Sequence, residues 1–127
     1  MYEDFTVADP WTGQTLHCRW RANLVAIATR HADAVDVRFE VDGRPMWIAL
    51  PSTAWLEQKR RSGLTIPDEL AVQIAGRFLK QSIAEGFDAA RELYTMSVDQ
   101  VLTHLDAVVA EAKALGELPP VPVPLTA

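Results

Sequence analysis

An Asp-Gly pair at positions 42 and 43 sits between two apolar-alternating runs, Val35 to Val41 and Arg44 to Leu50, and constrains this chain more than any other feature. A type I′ turn needs positive φ at both central residues, and Asp-Gly supplies it at low cost, so the segment predicts a β-hairpin. A two-residue turn also sets the register. Val41 should face Arg44, Glu40 face Pro45, Phe39 face Met46, Arg38 face Trp47, Val37 face Ile48 and Val35 face Leu50. Side chains alternate across a strand. Val35, Val37, Phe39, Met46, Ile48 and Leu50 therefore share a core face, and Asp36, Arg38, Glu40 and Trp47 share a charged one.

The rest of the first half reads as strand and turn. Ala8-Asp9-Pro10-Trp11-Thr12-Gly13 carries turn punctuation. Thr15 to Arg21 alternates, with Leu16, Cys18 and Trp20 on one face, which predicts a half-buried strand. Leu24 to Thr29 leans to strand, weakened by Ala26 and Ala28. The second half reads as mainly helix. Ser52 should cap a short helix over 53–62 that Gly63 closes, with Trp55 and Leu56 as its small apolar surface. A longer helix over 67–85 starts at Thr65-Ile66-Pro67-Asp68, with Thr65 as cap. It carries Leu70, Ala71, Ile74, Ala75, Phe78, Leu79 and Ile83 at helical spacing. Gly76 inside that helix costs about 1 kcal/mol relative to Ala, which predicts close packing there, onto the sheet. Arg91 to Met96 favours a short strand. Ser97-Val98-Asp99-Gln100 is a capping box that opens a helix over 97–115. The Pro-rich run from Leu118 to Pro124 reads as an extended, polyproline-like tail.

At 127 residues the chain has the length of one domain, assigned here to 1–117 with the tail at 118–127. The expected class is α+β: an antiparallel meander of four or five strands over residues 4–50, packed on one face by the helices 67–85 and 97–115. The single cysteine, the acidic N-terminus and the lack of a long uncharged apolar run lead to the expectation of a soluble cytoplasmic protein with no membrane partner.

Candidate chemistry is sparse. Cys18 lies beside His17, but neighbours on a strand face opposite ways, so Cys18 reads as a buried small hydrophobe. His17, His31 and His104 have no metal-ligand spacing and read as surface histidines. Asp36 and Glu40 have Arg38 between them, the pattern of a self-paired sheet face rather than an acid/base pair. Asp68-Glu69 complements a helix N-terminus. The glycines are scattered singly, so no phosphate loop is present. Thus no catalytic, cofactor-binding or metal residue is assigned, no cofactor is expected, and the sequence argues against an enzyme. Lys59-Arg60-Arg61 with Arg19, Arg21, Arg38 and Arg44 would be the basis of a nucleic-acid surface. The net charge of −5 argues against that partner.

The charged sheet face is what survives. Trp and Arg are enriched at interface hot spots, and four tryptophans exceed the needs of a small core, which places one or two at the surface. The expectation is a non-catalytic interaction protein that forms a homo-oligomer or binds a protein partner through Arg19, Arg38, Glu40 and Trp47. The alternatives are a small-molecule or enzymatic domain, with a sheet/helix pocket using Arg19, Arg38 or His17, and a nucleic-acid-binding regulator using the basic knot. The ligand of such a pocket is not specified by the sequence.

Overall fold

The computed structural model describes residues 1–26 and 34–117. The expectations for residues 27–29, for His31 and for the Pro-rich tail lie outside the described residues. Four strands come first: β1 (Asp4–Ala8), β2 (Thr15–Ala26), β3 (Ala34–Val41) and β4 (Arg44–Pro51). Helices α1 (Thr53–Ser62) and α2 (Asp68–Ala84) follow, then strand β5 (Leu93–Thr95) and helix α3 (Val98–Ala114). The class is α+β. The strands form one sheet in the order β1-β2-β3-β4-β5.

The hairpin at the centre has the register the Asp-Gly turn dictates, from Val41 opposite Arg44 to Val35 opposite Leu50. Asp42 and Gly43 both take positive φ, 49° and 81°. The first four strands are antiparallel neighbours, but the sheet is mixed, because β5 pairs with β4 in parallel. The antiparallel meander expected over 4–50 is thus present as four strands, and the correction is to the sheet as a whole, which gains a parallel fifth strand from residues 93–95. The connection permits it: α1 and α2 lie between β4 and β5, and a parallel neighbour needs such a crossover in place of a hairpin. Trp47 donates its amide to the Glu92 carbonyl at 2.7 Å, and Met96 donates to that of Ala49 at 2.9 Å.

Alternation does the sorting. Phe5, Val7, Leu16, Cys18, Val37, Phe39, Val41, Met46, Ile48, Leu50 and Tyr94 point inward into one core cluster, which also takes in Leu70, Ile74, Phe78 and Leu79 of α2 and Val101, Leu105 and Val108 of α3. Outward-facing strand residues do not belong to it. Trp20 departs from expectation: it pairs with Phe39 but is 40 % exposed, at the point where β2 bulges between Trp20 and Ala22. The extra residue re-aims the strand.

Helix starts also depart in part. Ser97 caps α3 as a full box, accepting from the Gln100 amide at 3.1 Å while its own amide donates to the Gln100 side chain at 2.8 Å. Ser52 makes no side-chain cap bond, because its backbone is already helical (φ −59°, ψ −26°) and cannot aim the hydroxyl back at the first turn. At α2 the cap position is Pro67, not Thr65, again without a side-chain bond. The buried residues of α1 are Ala54 and Gln58, whereas Leu56 is exposed and Trp55 is partly buried. Gly76 does mark a close approach, though to the N-terminal segment: an added Cβ would lie 2.7 Å from the Cβ of Tyr2.

Candidate functional site

The outward face of the sheet is built by all five strands in register, with Asp4 of β1 opposite Arg19 at one edge. One transverse row runs Ala22, Arg38, Trp47, Leu93, a second runs Arg19, Glu40, Pro45, and a third runs Leu24, Asp36, Ala49, Thr95. The four residues singled out from sequence thus lie on neighbouring rows of one surface. The Arg38 guanidinium carbon sits 5.8 Å from the centre of the Trp47 ring, a cation–π contact worth about 0.5–1 kcal/mol where solvent reaches it. The Arg38 Nε is sealed from solvent and has no hydrogen-bond partner among the described residues.

Arg19 stands opposite Glu40, yet the carboxylate is taken by Arg21, whose Nη2 donates to it at 2.9 Å. The bulge after Trp20 provides that extra arginine. The Arg21 hydrogen bond is the first cause that holds the Glu40 carboxyl below its ordinary range. Sequence reasoning missed Leu24 and Leu93, which are 52 % and 46 % exposed on the same face. Their alternation was readable, but the parallel seating of β5 was not. Of the four tryptophans, Trp11 is the most exposed at 77 %, although its indole NH donates to the Gly86 carbonyl at 2.6 Å.

A second polar constellation was not foreseen. The Tyr2 hydroxyl donates to Glu111 at 2.9 Å, Arg77 Nε donates to the same carboxylate at 3.1 Å, and Arg77 Nη1 meets His104 Nδ1 at 2.8 Å. His104 is buried, its ring edge-on to Phe78, so the surface reading of this histidine is corrected. Burial first, and then the Arg77 cation, hold its pKa below the ordinary value. Burial and the Glu111 carboxylate push the Tyr2 hydroxyl up. Position 104 is flanked by apolar Val101, Leu105 and Val108, and that helical face was the available signal.

The remaining chemistry is not assembled. Cys18 is fully buried, and desolvation pushes its thiol up to about 12. His17 is exposed on the other face, 2.5 Å from Asp4. No group of three metal-ligating side chains occurs among the described residues. In the basic knot, Arg60 pairs with Glu57 and Arg61 with Asp106. A cleft of about 530 Å³ opens between β2 and the start of α2, lined by Glu3, Trp20, Asn23, Asp68, Glu69, Val72 and Gln73. Arg19, Arg38 and His17, expected to line a sheet/helix pocket, are absent from it, because their strand parity turns them to the opposite face. No helix among the described residues is long and apolar enough to cross a membrane. No known protein family, curated protein or solved structure matches the chain.

Proposed function

We propose that this is a non-catalytic cytoplasmic interaction protein whose single domain, residues 1–117, pairs with a second copy through the outward sheet face around Arg19, Arg38, Glu40 and Trp47. In this reading the helices 67–85 and 97–115 cover the other face. One observation carries it: the strip Ala22–Arg38–Trp47–Leu93 lies outside the core cluster and holds a guanidinium NH with no partner among the described residues. Trp and Arg are the residue types whose burial supplies most interface energy.

The charge pattern favours a like partner. Arg19 and Arg38 interleave with Asp36 and Glu40, so the face complements its own two-fold copy, as an isologous interface requires. An acidic partner would instead meet a chain of net charge −5. Five strands at ~4.8 Å spacing give a width of about 19 Å, and with a length of about 25 Å the footprint is below the ~800 Å² per partner of a standard interface. A footprint of that size is that of a weak, transient interface. Sedimentation velocity should show a dimer that grows with concentration, and Trp47→Ala or Arg38→Ala should weaken it by about tenfold, with Arg38→Ala costing the fold only the cation–π contact, about 0.5–1 kcal/mol. A strict monomer at ~1 mM, where even a weak specific interface is populated, sinks the proposal.

The cleft beside Trp20 supports a second reading, a small-molecule site, because its volume falls in the range of ligand pockets. A ligand retained through purification, resolved by native mass spectrometry, decides for it.

A further inference from the structure

The cluster of Tyr2, Arg77, His104 and Glu111 ties three separate parts of the chain together. Tyr2 precedes β1, Arg77 lies on α2, and His104 and Glu111 are on α3. Tyr2 is held at three points. Its amide donates to Gln73 at 2.6 Å, its hydroxyl donates to Glu111, and its backbone and Cβ press on Gly76. Arginine has no acceptor, so the Arg77–His104 contact exists only while Nδ1 of the imidazole carries a lone pair. A proton on that nitrogen removes the bond and sets two cations face to face.

We infer that this cluster is a pH-sensitive latch: protonation of His104 draws the Glu111 carboxylate toward the imidazolium and frees Tyr2, uncovering the Gln73–Gly76 strip of α2. The charged groups facing His104 are Arg77 of α2, Glu85 at the C-terminal cap of α2 and Glu111 of α3. Arg77 repels the new charge. Glu111 is the carboxylate that already touches Arg77, and it is the one whose movement costs Tyr2 its hydroxyl acceptor. Glu3 stays ionised through this range, so its ion pair with the N-terminal ammonium is not the trigger.

The experiment is an NMR titration of the full chain from pH 8 to pH 5, following the His104 ring, the Tyr2 ring and exchange of the Tyr2 amide. The expected result is that the Tyr2 ring resonances move with the His104 midpoint, and that amide exchange, corrected for its intrinsic pH dependence, rises by about tenfold. In His104→Gln the Tyr2 signals should stay flat. Tyr2 resonances that ignore the His104 titration in the unmodified chain overturn the latch, and no variant is needed to see it. A Tyr2 response that persists in His104→Gln overturns it equally, because another group then drives the movement.

Discussion

Cys18 and Gly76 show how far one position reports on its surroundings. Cys18 is fully buried, and its thiol is pushed up to about 12. Since the thiolate is the nucleophile, a disulfide reagent at pH 8 should modify the folded chain on the order of a hundredfold more slowly than the unfolded one. Equal rates in native buffer and in denaturant would show the site is open. At Gly76 the Cβ of an alanine would collide with Tyr2, so the usual helix-propensity gain is reversed. Gly76→Ala should lower the unfolding free energy by about 1–3 kcal/mol, read from the denaturant midpoint. The need for a small residue was legible in the sequence, but its neighbour, 74 positions earlier, was not.

At the scale of an element, the two serines that precede helices make opposite predictions. Ser97 accepts a bond from the Gln100 amide, and Ser97→Ala should cost about 1 kcal/mol. Ser52 makes no such bond, and Ser52→Ala should stay within about 0.5 kcal/mol. Thermal unfolding of the pair checks both. The N-terminal segment that α2 and α3 hold down responds to acid with a definite sign. Burial raises the Glu3 carboxyl, but hydrogen bonds from Gln73 and the N-terminal ammonium outweigh it and hold the group at about 2. Its contribution is complete above the ordinary 4.5 and is lost as pH falls toward 2. For His104, held below the ordinary 6.5, the unfolded chain takes up the proton first. Stability is therefore full above 6.5 and declines as pH falls below it. Denaturant midpoints should thus fall monotonically from pH 7 to pH 3, and a rise over that interval contradicts both assignments.

For the whole molecule, the question is what the outward sheet face does. Its central pair, Arg38 over Trp47, was readable from the hairpin alone, because a two-residue turn leaves no freedom of register. The edges of the face were not. Leu93 joins it through a parallel pairing that spans α1 and α2, and Arg21 reaches Glu40 through a bulge that alternation does not announce. The self-association predicted for this face is tested by charge reversal: Arg38→Glu should abolish the dimer in sedimentation while the chain stays folded, with the unfolding free energy lowered by about 1–2 kcal/mol through the lost cation–π contact and the like charges of Asp36 and Glu40.

Local chemistry is what this chain states openly. The Asp42-Gly43 turn, the parity of β3 and β4 and the Ser97 capping box each involve residues a few positions apart, so backbone sterics and hydrogen bonding decide them before any tertiary contact forms. Tertiary packing decided the rest. It seated β5 parallel to β4, pressed Tyr2 onto Gly76, and buried His104 against Arg77 and Phe78. Those contacts join residues tens of positions apart, where the energy resides in which surfaces meet, and a sequence pattern with a period of two or 3.6 records only that a surface is apolar.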